Sequence, residues 1–135
     1  MITTIAGAMT ATMKGLGIFK AVERSVLPNI VQSPPGAAVI LAYDKEVENR
    51  PTSRELGWDV MVTVSALGSG KGIKTADDII DLLRETFINY RPLDEGVLPA
   101  RVPTITLEGI QGQLLVYTVR VTMVILPAVI DASHQ

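Results

Sequence analysis

Few residues in this sequence have the type and spacing to do chemistry. The stretch Gly68-Ser69-Gly70-Lys71-Gly72 invites a phosphate-binding reading. A nucleotide loop of the form Gly-x-x-x-x-Gly-Lys-Ser/Thr needs a first glycine to open the turn and a final hydroxyl to hold magnesium. Here Ser65 stands at the first-glycine position and Gly72 replaces the hydroxyl residue, so the stretch reads as a flexible connection. A serine nucleophile needs a firmly held base. The single histidine, His134, is next to the last residue, where chains fray. Cysteine is absent, which removes thiolate nucleophiles, thiolate metal sites and disulfides together. The carboxylate pairs Asp77-Asp78 and Asp94-Glu95 suit a helix start and a turn better than a metal site. No catalytic residue, metal-ligand set or cofactor motif emerges, and the expectation is a protein that is not an enzyme.

Charge and aromatic content narrow the partners. The formal net charge is −2, and Lys and Arg never form a run, so no broad field draws the chain to nucleic acid or to an acidic membrane. One Trp, three Tyr and two Phe are too few and too scattered for a base-stacking platform. Trp58 alternates in phase with apolar neighbours and reads as core. Nucleic-acid binding by sequence readout is not expected. The most apolar stretch, Leu114 to Ile130, is broken by Arg120 and Pro127 and alternates too regularly for a membrane helix. The opening residues lack the basic and apolar regions of a signal peptide. A soluble, unexported protein without membrane partners is expected.

The chain has 135 residues, 47% of them hydrophobic but only 4% aromatic, so its core must be aliphatic. Ile2, Ile5, Met9, Met13 and Leu16 recur at helical spacing, with Thr3 or Thr4 available as a cap and Gly15 and Gly17 at the end. Ile18 to Ser25 fits a short half-exposed strand. A Pro-rich loop follows, then the apolar run Ala37 to Tyr43, which has the length of a central strand. Leu56, Trp58, Val60, Val62, Val64 and Ala66 alternate with more polar residues, the period of a strand with one buried face. Thr75 followed by Asp78 resembles a capping box. It precedes the helical stripe Ala76, Ile79, Ile80, Leu83, Phe87 and Tyr90, closed by Arg91-Pro92. Val102 to Leu107 reads as a strand, Glu108 to Gln113 as a turn, and Leu114 to Leu126 as the longest strand.

These elements predict an α+β fold in the order α-β-β-β-α-β-β: a mainly antiparallel sheet with both helices on one face, in a single domain over 1–127 followed by a tail at 128–135. Two features point outward. Asp44, Lys45, Glu46, Glu48, Arg50 and Arg54 lie on a hairpin expected to contact other chains and to add little to the monomer fold. Val116, Thr118 and Val124, on the face of the last strand opposite its Leu115–Ile125 row, are too apolar for a free surface and mark a self-association site.

The short N-terminal helix with Ile5, Met9 and Met13, the strands Ala37–Tyr43 and Glu55–Val64, the helix Ala76–Arg91 and the final strands ending Tyr117–Leu126 together resemble the tail terminator proteins of long-tailed bacteriophages. That group includes minor tail protein U of lambda-like phages and related Mu-like prophage proteins. The resemblance covers nearly the whole chain in order and size. It implies a homo-oligomeric ring, typically a hexamer, that caps the tail tube, stops its polymerisation and offers a surface to head–tail connector proteins. The place of such a protein is the virion tail, and the host cytoplasm during assembly. The alternative is a non-catalytic bacterial adaptor or regulatory domain that dimerises through its sheet.

Overall fold

The structure, a computed structural model, describes residues 1–27, 31, 34–66 and 71–126, with the side chains of residues 51 and 71–74 left out of the description. Helix α1 (Ile2–Gly15) is followed by β1 (Ala21–Ser25), β2 (Gly36–Val47), β3 (Arg50–Ser65), α2 (Lys71–Phe87), β4 (Thr104–Gln111) and β5 (Leu114–Ile125). The fold is α+β, in the expected order. The strands form one five-stranded sheet ordered β1-β2-β3-β5-β4. Three pairings are antiparallel, while β1 runs parallel to β2.

Period-two side chains of β3 divide the sheet into two faces. Leu56, Trp58, Val60, Val62 and Val64 join Ala37 and Val39 of β2 and Val119, Val121 and Met123 of β5 in one aliphatic layer. Ile5, Ala6, Met9 and Met13 of α1 and Ala76, Ile79, Leu83 and Phe87 of α2 close that layer, so both helices lie on one face. Trp58 has no exposed surface and belongs to the core. At the far end of α2, Asn89 takes a positive φ of 55°, a conformation Asn accepts when it ends a helix. The chain then turns to place Tyr90 edge-on to Phe87 at 5.1 Å, with its hydroxyl 2.9 Å from that of Thr12 on α1. Burial raises the pKa of that phenol, against the opposing pull of the Thr12 hydrogen bond.

Several element limits differ from the sequence reading, each for a local reason. Neither Thr3 nor Thr4 caps α1: Met1 is the N-cap without a side-chain hydrogen bond, and the threonines fall inside the first turn. Strand β1 is shorter than Ile18–Ser25, because Ile18 and Phe19 pack against the core ahead of the sheet. Thr75 lies within α2, which begins one turn earlier at Lys71, since no proline in Gly72-Ile73-Lys74 stops the helical ladder. The glycine-marked turn expected at Glu108–Gln113 is mostly strand. Gly109, at φ 149°, absorbs a bulge between Leu107 and Gly109, and β4 continues to Gln111.

A parallel pair such as β1–β2 needs a crossover connection, and Val31, the described residue midway between the two strands, lies on the helix-free side. Val31 is buried there against Ala38 and Ile40, beside Ala21 and Met61. The fully buried hydroxyl of Thr63 donates to the Val31 carbonyl at 2.7 Å, tying the crossover to the centre of β3. Among the described residues no helix is long and apolar enough to cross a membrane. Thr63→Val keeps the shape but removes this donor and strands a buried carbonyl. It is expected to lower stability by about 1–2 kcal/mol, read as a shift in the urea midpoint.

Candidate functional site

The helix-free face is where charge and hydroxyls gather. Odd-numbered residues of β3 project here, among them Glu55, Gly57, Asp59, Met61 and Thr63, opposite Val124, Thr122, Arg120, Thr118 and Val116 of β5. A strand interior is a poor place for glycine unless another group approaches closely. Tyr43 of β2 is the register partner of Gly57, and a Cβ built on Gly57 would come within 2.2 Å of the Tyr43 ring. The ring therefore lies flat across the strand, and its position organises the charges around it.

From there the Tyr43 hydroxyl donates to Glu55 Oε2 at 2.8 Å. The same carboxylate accepts from Arg101 Nη2 at 3.0 Å and meets Lys45 Nζ at 3.5 Å. Glu55 is only 9% exposed, yet these partners hold its pKa below the usual carboxylate range. The Tyr43 hydrogen bond is the largest cause and outweighs the opposing effect of burial, with Arg101 and Lys45 adding to it. On the other side of the ring the Arg120 guanidinium sits 5.5 Å from the Tyr43 centroid, while Lys45 Nζ is 5.2 Å away. Arg120 grips Asp59, its cross-strand partner, through both Nε and Nη2, and this hydrogen bond pushes the guanidinium pKa up. Beyond the pair lies an open trough of about 460 Å³ lined by Asp59, Met61, Glu108, Val116, Thr118 and Arg120 among others.

The residues expected to mediate contacts do not form one patch. Lys45, Thr118 and Val124 share the helix-free face, and Thr118 and Val124 are half-buried. Val116 lies on that face too but is 2% exposed, so the chain already covers it and it offers a partner almost no surface. The side chain of Asp44 emerges on the helix side, level with Leu56, and pairs with Arg54 at 2.8 Å, which raises the Arg54 pKa. This ion pair rims an apolar groove of about 500 Å³ lined by Met1, Ile2, Thr3, Ile125 and Leu126. Glu46 is the register partner of Arg54, while Glu48 and Arg50 flank the tight turn at Asn49, where φ is 63°. The charged segment is thus ladder almost to its tip, and with Ser53 and Glu55 buried it contributes to the monomer fold, contrary to expectation.

Sequence reasoning missed Tyr43, Gly57, Asp59, Arg101 and Arg120 as a unit. The available signal was Gly57, a glycine in the middle of an otherwise unbroken strand. Arg101 carried none, because the segment before β4 is brought beside Glu55 by backbone bonds that no side-chain pattern announces, Leu98 N–H to the Val124 carbonyl at 2.9 Å and Arg101 N–H to the Thr122 carbonyl at 3.1 Å. Residues 68–70, the Lys71 side chain and His134 lie outside the described residues. Among the described residues no three His, Cys, Asp or Glu side chains come together as metal ligands. The face offers hydroxyls, an aromatic ring and mutually neutralised charges, which suit contact better than proton transfer. No protein-family model matches the chain, and no curated protein matches its sequence.

Two outcomes follow from the Tyr43 geometry. Gly57→Ala must expel the ring and is expected to cost about 1–3 kcal/mol, as overpacking does, measured by urea unfolding. Tyr43→Phe removes the main support of the Glu55 carboxylate. A depressed carboxylate pKa stabilises the fold above the unfolded value of about 4.3, and that stability is lost as pH falls through the folded value. The difference between Tyr43→Phe and the parent protein should therefore be largest at neutral pH and shrink on acidification below about pH 4. A difference independent of pH would mean that the hydroxyl acts by packing alone.

Proposed function

We propose that this chain is a structural protein of a phage or prophage tail: a terminator that assembles into a ring, caps the tail tube, stops its growth and presents a surface for head attachment. The observation that carries this reading is the one-sided construction of the sheet. Both helices cover one face, while the other ends in half-buried Thr118, Thr122 and Val124 beside a charged ladder. A face of this kind, neither sealed nor strongly solvated, suits a protein whose work is contact with copies of itself and with neighbouring rings. The element order and length agree with the resemblance to tail terminators. The exposed charges at Glu46, Glu48 and Arg50 sit at the hairpin tip, where a neighbouring subunit or the tube would meet them, and ion pairs formed there would make assembly sensitive to salt. In this reading the protein does no chemistry of its own and needs no cofactor.

Mass measurement in solution, alone and with tail tubes, tests the proposal. A ring several times the monomer mass, or a species that binds tube ends and halts their elongation, is the expected result. A dimer indifferent to tubes would favour an adaptor instead. For a surface variant, Val124→Lys is preferable to an acidic substitution, because Val124 lies directly opposite Glu55 and like charges at that position would weaken the monomer itself. Val124→Lys is expected to remain folded, with a thermal midpoint within a few degrees of the parent, and to lose assembly.

A further inference from the structure

Among the described residues the five most exposed large apolar side chains lie at or beside the two edge strands of the sheet, while Met1, Ile88 and Leu98 are exposed elsewhere. Val26 (82% exposed) and Leu27 follow directly on the end of β1, while Val102 precedes β4 and Leu107 and Ile110 (65% exposed) lie on it. Among the described residues β1 and β4 each have a strand neighbour on one side only. Such edges, with exposed apolar side chains and a strand partner on one side only among the described residues, are templates for pairing with another chain.

The β1 edge and its approach carry Lys20, Glu23 and Arg24, one cation in excess, and the β4 edge and its approach carry Glu108 and Arg101, the latter already paired with Glu55. The directions of the two edges match. Following the pairings across the sheet, β1 and β2 run one way, β3 the other, β5 with β2, and β4 against it. Within one copy β1 and β4 are therefore antiparallel. A second copy in the same orientation presents its β1 antiparallel to the first copy's β4, the more stable ladder geometry.

We infer that the occupant of the β4 edge is the β1 edge of a second copy of this chain, joined head to tail as a continuous antiparallel ladder. Because the two edges differ, the contact is heterologous, the kind that forms a ring when the rotation between successive copies closes. The inference rests on the ring reading of the previous subsection and adds the joint between subunits. Leu107 would then be covered by the neighbour's Val26 and Leu27, Ile110 by the earlier part of its β1, and Glu108 would face a more basic edge.

The absence of cysteine makes the test clean. Ser25 and Thr106 both lie on the helix-free side, as register partners of Ile40 and Thr118. A protein carrying both Ser25→Cys and Thr106→Cys, treated with a flexible bis-maleimide, is expected to give a ladder of covalent multimers, whereas each single variant gives none. Covalent dimers from Thr106→Cys alone would mean two-fold β4–β4 pairing and overturn the inference. An oligomer by mass that yields no cross-link in the double variant would overturn it too, while leaving the ring reading intact. A chain that stays monomeric both alone and with tail tubes would remove the ring reading and this joint with it. As a variant independent of cross-linking, Ile110→Lys should leave the circular dichroism unchanged and lower the assembled fraction at least tenfold. Unchanged assembly counts against the joint.

Discussion

Leu56, Trp58, Val60, Val62 and Val64 project from β3 into one aliphatic layer, and both helices, the strands on either side and the segment before β4 meet there. Burial of each such side chain is worth about 1.5–3 kcal/mol, and a one-residue slip of β3 would turn the whole row to the wrong face. The register of β2 on one side and β5 on the other is thereby fixed together. So is the identity of the opposite face, whose residues are whatever alternates with this row. Glu55, Gly57, Asp59 and Thr63 are not placed by attraction to one another. They are placed by the apolar residues between them, and their interactions are solutions to the position they inherit.

Each solution is different. Thr63, at the centre, is fully buried and spends its hydroxyl on the crossover carbonyl of Val31. Asp59 has its carboxylate neutralised by a two-point contact with Arg120, the geometry in which arginine binds carboxylates most strongly. Glu55 lies nearest the hairpin and gathers three partners from two segments, Tyr43 and Lys45 of β2 and Arg101 ahead of β4. Gly57 makes this arrangement fit, because only a residue without a side chain lets the Tyr43 ring cross the strand between the two acids. The Trp58 indole N–H, by contrast, is buried without an acceptor among the described residues, below the Arg24 guanidinium 5.4 Å from its ring centroid.

The fold was largely readable because its main signal is periodic. The row along β3 and the stripe Ala76, Ile79, Leu83 and Phe87 on α2 carry strand and helix periods strong enough to stand alone. The parallel placement of β1 was not readable, since five residues with a mixed pattern do not specify a direction, and the hydroxyl that fixes the crossover comes from a residue 32 positions away along the chain. The site was less readable than the fold. Charges at Asp44, Lys45 and Arg54 stood out as a cluster in sequence, but strand alternation sends Asp44 and Arg54 to the helix side and Lys45 to the other. Val116 looked like surface by its place in an alternating row, yet it is buried between its register partners Thr63 of β3 and Gly109 of β4, which the row does not reveal.

A sheet that is mixed and open has consequences for how such a chain associates. A closed barrel removes its edges, and a fully antiparallel sheet with an even number of strands ends in edges of opposite direction by construction. Five strands joined only by antiparallel pairings would end with both edges running the same way, and a copy added in the same orientation could then pair only in parallel. The single parallel pairing of β1 with β2 reverses one edge. The Thr63 hydroxyl bonded to the Val31 carbonyl anchors the one described residue midway along the connection that a parallel edge strand requires. Under the proposed ring, that anchor lies on the side of the sheet that determines whether neighbouring copies in one orientation could meet through the stronger antiparallel ladder.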